Sequence, residues 1–131
     1  MSRIETDAHA EDVRLQGRTY AIPFDAVWTA TLDLIQRSRR WKVVSADDQQ
    51  GRIHVEALSL VFRHTDDLYF HIGLDEDAQT RVDLRGHTRG DKRDLGRKAR
   101  VVGRFLRRLD AALKATPDQI LDPRARRAWS S

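Results

Sequence analysis

The chain has no cysteine, one methionine and only three prolines in 131 residues. Without cysteine it has no disulfides, no thiolate metal centre and no cysteine nucleophile. Long apolar runs are missing too. The opening Met-Ser-Arg-Ile-Glu-Thr-Asp has nothing of a signal peptide, and no stretch approaches the roughly 20 apolar residues of a membrane span. A mean hydropathy of −0.64 agrees. Aromatic residues make up only 7% of the chain, against 34% charged and 40% hydrophobic. These values place it among globular domains, at a length that suits one domain with tails. The expectation is an untargeted chain in a reducing cytoplasm, with no cofactor and no metal.

Charge is present in both signs but is unevenly spread. Residues 1–80 carry 9 basic and 14 acidic side chains, and residues 81–110 carry 11 and 4, so a chain of net +4 holds its positive charge in one segment. That layout admits an anionic partner. Acidic residues Glu5, Asp7, Glu11 and Asp12 and few large apolar groups mark residues 1–15 as a flexible arm. Residues 16–115 are expected to form the domain, with 116–131 a basic tail.

Within the domain, hydrophobic period separates the elements. Arg18 to Ile22 reads as a strand stopped by Pro23. Phe24, Val27, Trp28, Thr31, Leu34 and Ile35 recur at helical spacing up to Ser38. Alternation then predicts strands beginning at Trp41, Ile53, Leu68 and Arg81, with turns at Asp47–Gly51, His64–Asp67 and Asp75–Gln79. The run Leu58 to Phe62 slips in parity, which predicts a bulge. A final helix opens at Asp91 or Asp94 and carries Leu95, Ala99, Val102, Leu106, Leu109 and Leu113 as one stripe to the Thr116-Pro117 stop. The expected fold is α+β, in the order β-α-β-β-β-β-α. A curved antiparallel sheet of about five strands would carry two helices on one face.

The segment from Arg81 to Gly96 resembles a family of bacterial and plant proteins known as domain-of-unknown-function family 1499. In that family a strand ending in arginine leads through serine, arginine and glycine to an Asp-Leu-Gly helix start. Pro23-Phe24 to Trp28, Trp41 opening a strand, and Thr65-Asp66-Asp67 before an apolar strand are similar as well. The resemblance implies matching positions at Asp67, Arg85, Arg89, Asp94, Gly96 and Arg100, and it implies no reaction. Gly86 and Thr88 stand where the family has serines, and Lys98 where it has asparagine.

Three groups of residues carry candidate chemistry. The loop after the last strand gathers Arg85, His87, Thr88 and Arg89 before a helix start at Asp94 and Gly96, where free amides and the helix dipole can hold an anion. The competing reading pairs those arginines with Asp67, Asp91 or Asp94 to brace the loop. On the last helix Arg93, Arg97, Arg100, Arg104 and Arg108, with Arg107 alongside, form a basic face that could track a nucleic-acid backbone or merely be solvated. Third, pairing about the turn near Asp77 sets His71 opposite Asp83 and Tyr69 opposite Arg85. Pairing about Gln49 sets Lys42 opposite Glu56 and His54 beside Val44. His71 with Asp83 could form a general base and its orienting carboxylate, or a plain cross-strand pair. The leading expectation is a non-catalytic module binding an anionic small molecule or acidic partner at the loop. The alternatives are nucleic-acid binding through the arginine helix and a small enzyme using a sheet-face histidine. The oligomeric state is left open.

Overall fold

A computed structural model describes residues 2–6, 16–59, 64–88 and 95–121. Seven strands form one antiparallel sheet: β1 (Ser2–Glu5), β2 (Arg18–Tyr20), β3 (Trp41–Asp47), β4 (Arg52–Ser59), β5 (His64–Leu74), β6 (Thr80–Thr88) and β7 (Ile120–Leu121). Their spatial order is β3-β4-β5-β6-β2-β7. β1 lies beside the distal half of β6, next in line to β2. The sheet is open, and the class is the α+β architecture expected, with short strands β1 and β7 added to the predicted five.

Strand alternation divides the sheet into two unlike faces. One face presents Val55, Phe70, Ile72, Val82 and Leu84, all buried. Helices α1 (Phe24–Arg37) and α2 (Leu95–Ala112) cover it with Val27, Leu34 and Ile35 from α1 and Val102, Phe105, Leu106 and Leu109 from α2. Burial of each such side chain is worth about 1.5–3 kcal/mol, so this layer dominates stability. Trp41 stacks on Phe105 at 5.6 Å between ring centres, and Phe105 meets Phe70 edge-on at 5.0 Å, joining β3, β5 and α2. One carboxylate ties α2 to β2: Asp110 Oδ1 accepts from Arg18 Nε at 3.0 Å and from the Tyr20 hydroxyl at 2.5 Å.

Several boundaries differ from the expectation. His64–Asp67, predicted as a turn, are the first residues of β5, and they pair with β4 from Ser59 to Glu56. Asp67 is tolerated in a strand because a histidine on β4 satisfies it. The predicted parity slip at 58–62 runs past Ser59 into residues outside the described ones. The bulge that is described lies between Val43 and Ser45, and it sets Ser45 rather than Val44 opposite His54. Ser2–Glu5, taken from the sequence as part of the arm, add a strand to β6. Past Thr116, a single 3-10 turn (Pro117–Gln119) and β7 belong to the sheet rather than to a tail. α2 ends at Ala112, short of the Thr116-Pro117 stop. Among the described residues no helix is long and apolar enough to cross a membrane.

Candidate binding site on the open sheet face

The face away from the helices carries polar and charged side chains in cross-strand rows, because the same alternation that buries Val55 and Phe70 turns their neighbours outward. One row runs Ser45, His54, Tyr69, Arg85 and Glu5. The next runs Asp47, Arg52, His71 and Asp83. All of these but Asp47 line a groove of about 830 Å³, within the size range of small-molecule sites.

Three interactions organise the groove. His54 Nε2 lies 3.0 Å from Asp67 Oδ1, a carboxylate left only 7% exposed. The His54 ring stacks on Tyr69 at 4.4 Å between centres and 12° between planes. From the β6 side the Arg85 guanidinium sits 4.7 Å from the centre of the same ring. Tyr69 is therefore held between an imidazole and a cation, and its hydroxyl end and the edges of its neighbours are what the sandwich turns outward.

A second cluster closes one end. Arg81 grips Asp83 with two donors, Nε to Oδ2 at 3.1 Å and Nη2 to Oδ1 at 2.8 Å, and reaches Thr19 Oγ1 at 3.2 Å and the Gln16 carbonyl. The Thr6 hydroxyl donates to Asp83 Oδ1 at 2.7 Å and accepts from the Leu84 amide at 3.0 Å, extending the β1 pairing by a side chain. Gly17, at φ +73°, packs so closely here that a Cβ would lie 2.6 Å from Arg81 Nη2 and 2.8 Å from Asp83 Oδ1.

The register places His71 opposite Asp83 and Tyr69 opposite Arg85, as expected from the turn. No base and carboxylate pair forms from the first couple, however. Asp83 is taken by Arg81 and Thr6, and the exposed His71 ring leans over Gly73, 3.1 Å from where a Cβ would stand. The histidine that does have a carboxylate is His54. Sequence reasoning missed that pair because it read His64–Asp67 as a turn and so started β5 late, which removed Asp67 from the sheet. Tracing the period-2 alternation of Tyr69 and His71 back to Asp67 would have found it.

The residues expected at the strand-to-helix loop are divided by the structure. Arg85 and His87 stand on the outer face of β6, Thr88 ends that strand, and Gly96 lies in the first turn of α2. Arg89, Arg93 and Asp94 lie outside the described residues. Of the helical arginines, Arg100, Arg104, Arg107 and Arg108 are exposed, while Arg97 belongs to the first turn. Among the described residues no three His, Asp or Glu side chains gather as a metal site.

Among solved structures, the crystal structure of Ara h 8.0201 is similar at 12% identity, covering 86% of this chain and 97% of that one with a TM-score of 0.32. A score that low carries no argument. No curated protein matches the chain significantly. The family model described as protein of unknown function (DUF1499) matches residues 2–109, which takes in α1, all but the last three residues of α2, the groove with Arg85, and Asp67. The chain belongs to the DUF1499 family.

Proposed function

We propose that the protein is a non-catalytic binding module that holds an anionic small molecule in the groove of its open sheet face, with Arg85 as the principal cation. The observation that carries this reading is how the groove's charges are used. Asp83 is neutralised by Arg81 and Asp67 is held by His54. Asp47 is spent on the amides of Gln49 and Gln50 in its own turn. Arg85 rests on Tyr69, and no carboxylate of the described residues pairs with it or with Arg52. Two exposed cations thus open onto a concave surface, where a fixed positive potential favours an anion. Glu5 lines the same groove directly across from Arg85 and limits how much negative charge the site accepts. The reading keeps Arg85 of the expected loop and moves the ligand from the helix start onto the sheet. Residence in the cytoplasm belongs to the same proposal.

Inorganic phosphate is the probe. At a phosphate concentration one hundred times Kd, binding to the folded state alone stabilises it by about 2.7 kcal/mol, which for a chain this size raises Tm by roughly 10 °C. Chloride at matched ionic strength supplies the baseline. Arg85→Ala is expected to abolish most of the rise while leaving Tm without phosphate nearly unchanged, since an exposed cation on a ring is worth about 0.5–1 kcal/mol. An equal rise in both proteins would sink the proposal.

A second reading has an observation of its own. Arg100, Arg104, Arg107 and Arg108 on α2 are exposed and no carboxylate of the described residues pairs with them. If this face tracks a nucleic-acid backbone, affinity for a mixed-sequence duplex falls steeply with salt, and Arg104→Ala lowers the slope by about one. No binding at low salt disposes of it.

A further inference from the structure

The groove's lining narrows the ligand class beyond its charge. The polar side chains of the lining are Ser45, Arg52, His54, Tyr69, His71 and Arg85, with the Arg81 and Asp83 pair and Thr6 at one end and Glu5 beside Arg85. None of them is aliphatic. The apolar residues that border the groove, Ile53, Phe70 and Leu84, turn their side chains into the core on the opposite face, where they are 1–3% exposed. An alkyl chain or lipid tail would find ring edges and arginine stems but no aliphatic side chain to bury against, so hydrophobic transfer contributes less here than in a pocket lined by aliphatic residues.

An aromatic ligand fares no better, for a different reason. Stacking needs a free ring face. Tyr69 has both faces covered, one by His54 at 4.4 Å and the other by Arg85 at 4.7 Å. The chain's other rings of this region, Trp41, Phe70 and Phe105, are packed against one another under the helices. A planar ligand, a nucleobase included, therefore meets ring edges and loses the roughly 1–3 kcal/mol that base stacking supplies elsewhere.

What the groove does offer is hydrogen bonding at several points. Arg52 and Arg85 stand on strands β4 and β6 with β5 between them, two residues out of row, so their backbones are roughly 12 Å apart. The interval is bridged by the exposed imidazole of His71 and the hydroxyl end of Tyr69. This spacing suits a molecule with an anionic group at one end and several hydroxyls across its body. We infer that the ligand is a polyhydroxylated anion, a sugar bearing a phosphate or a carboxylate, held by Arg85 at its charge and by His71, Tyr69 and Arg52 along its hydroxyls.

The inference rests on the anion-binding reading, and its test separates the two. The full chain is titrated calorimetrically with inorganic phosphate, phenyl phosphate, glucose 6-phosphate and glucuronate. Glucose 6-phosphate or glucuronate is expected to bind at least tenfold more tightly than inorganic phosphate, and whichever is the stronger identifies the anionic group. Phenyl phosphate is expected to bind no more tightly than inorganic phosphate. Tyr69→Phe keeps the ring between His54 and Arg85 but removes the hydroxyl, so it should cut the sugar's advantage over inorganic phosphate severalfold. Phenyl phosphate binding more tightly than both sugars, or all four binding alike, overturns the inference while the anion site stands. Binding by none of the four overturns both.

Discussion

Gly51→Ala is expected to destabilise the protein by about 3–6 kcal/mol, a large share of the roughly 5–15 kcal/mol that holds a domain of this kind together. Gly51 closes the turn between β3 and β4 at φ +69°, and a Cβ there would stand 1.9 Å from the carbonyl oxygen of Ile72. The neighbour is backbone, not a side chain that can swing away. It is also held, because the Ile72 amide donates to the Gly51 carbonyl at 2.7 Å and the Ile72 side chain is 1% exposed in the core. Left-handed backbone costs an L-residue about 1–2 kcal/mol, the displaced hydrogen bond about 1, and the shift of a packed strand about 1–3. Gly73→Ala is the control. There the added methyl meets only the exposed His71 ring at 3.1 Å, and the change should stay within about 1 kcal/mol of zero. Urea unfolding measures both. The Gly51 variant should lose more than 1 M in midpoint at a slope of about 1–3 kcal/mol per M. A midpoint shift no larger than that of Gly73→Ala would refute the steric argument.

The parts of this fold that were legible in the sequence are those where period and turn chemistry agree. α1 and α2 follow their apolar stripes, and Ala99, Val102, Leu106 and Leu109 are buried as the spacing requires. The β5–β6 pairing follows from the Asp75–Gln79 turn, where Asp75 Oδ1 accepts from the amides of Asp77 and Gln79 at 2.9 Å and so fixes the register that sets Tyr69 opposite Arg85. Where a local signal was weak or opposed the tertiary one, the reading failed. Thr65-Asp66-Asp67 has turn composition, but both aspartates lie in a strand at 7% exposure. Strand β7 is two residues long and β1 four, too short to show a period.

The site was half legible for the same reason. Arg85, Tyr69 and His71 follow from register, which is local to one hairpin. The fate of Asp83 depends on Thr6, 77 residues earlier, and no spacing rule connects the two. Because that distant hydroxyl and Arg81 occupy the carboxylate, His71 does not form with Asp83 the couple that general-base work needs, and the imidazole that does meet a carboxylate is His54, with Asp67. An interaction invisible to sequence pattern thus decides which of the groove's charges are already matched.

Asp110→Ala is expected to cost about 2–4 kcal/mol at pH 7, because a single oxygen of this carboxylate serves both Arg18 and Tyr20 and its loss strands a cation and a hydroxyl together. The side chains of Arg18 and Asp110 are 19% and 22% exposed, so water recovers part of the cation's loss and keeps the figure below that of a fully buried pair. Asp110→Asn retains an acceptor and should cost less. The same cluster imposes a pH dependence. Burial of Tyr20, then its hydrogen bond to Asp110 and the charge of that carboxylate, push the ionisation of the hydroxyl well above the ordinary tyrosine value. A group whose proton is held more tightly in the folded state contributes stability that is complete below its unfolded value, about pH 10, and is lost as pH rises beyond it. Between pH 10 and 11.5 this one hydroxyl should therefore remove about 2 kcal/mol, at about 1.4 kcal/mol per pH unit. Tyr20→Phe should be about 1 kcal/mol less stable than wild type at pH 7 through the lost hydrogen bond. It should then lose less stability than wild type across the alkaline range, so the two stability curves converge and cross. Urea unfolding at pH 7, 10 and 11.5 measures the difference directly. Parallel curves for wild type and Tyr20→Phe would show that the hydroxyl is not held by the Asp110 carboxylate.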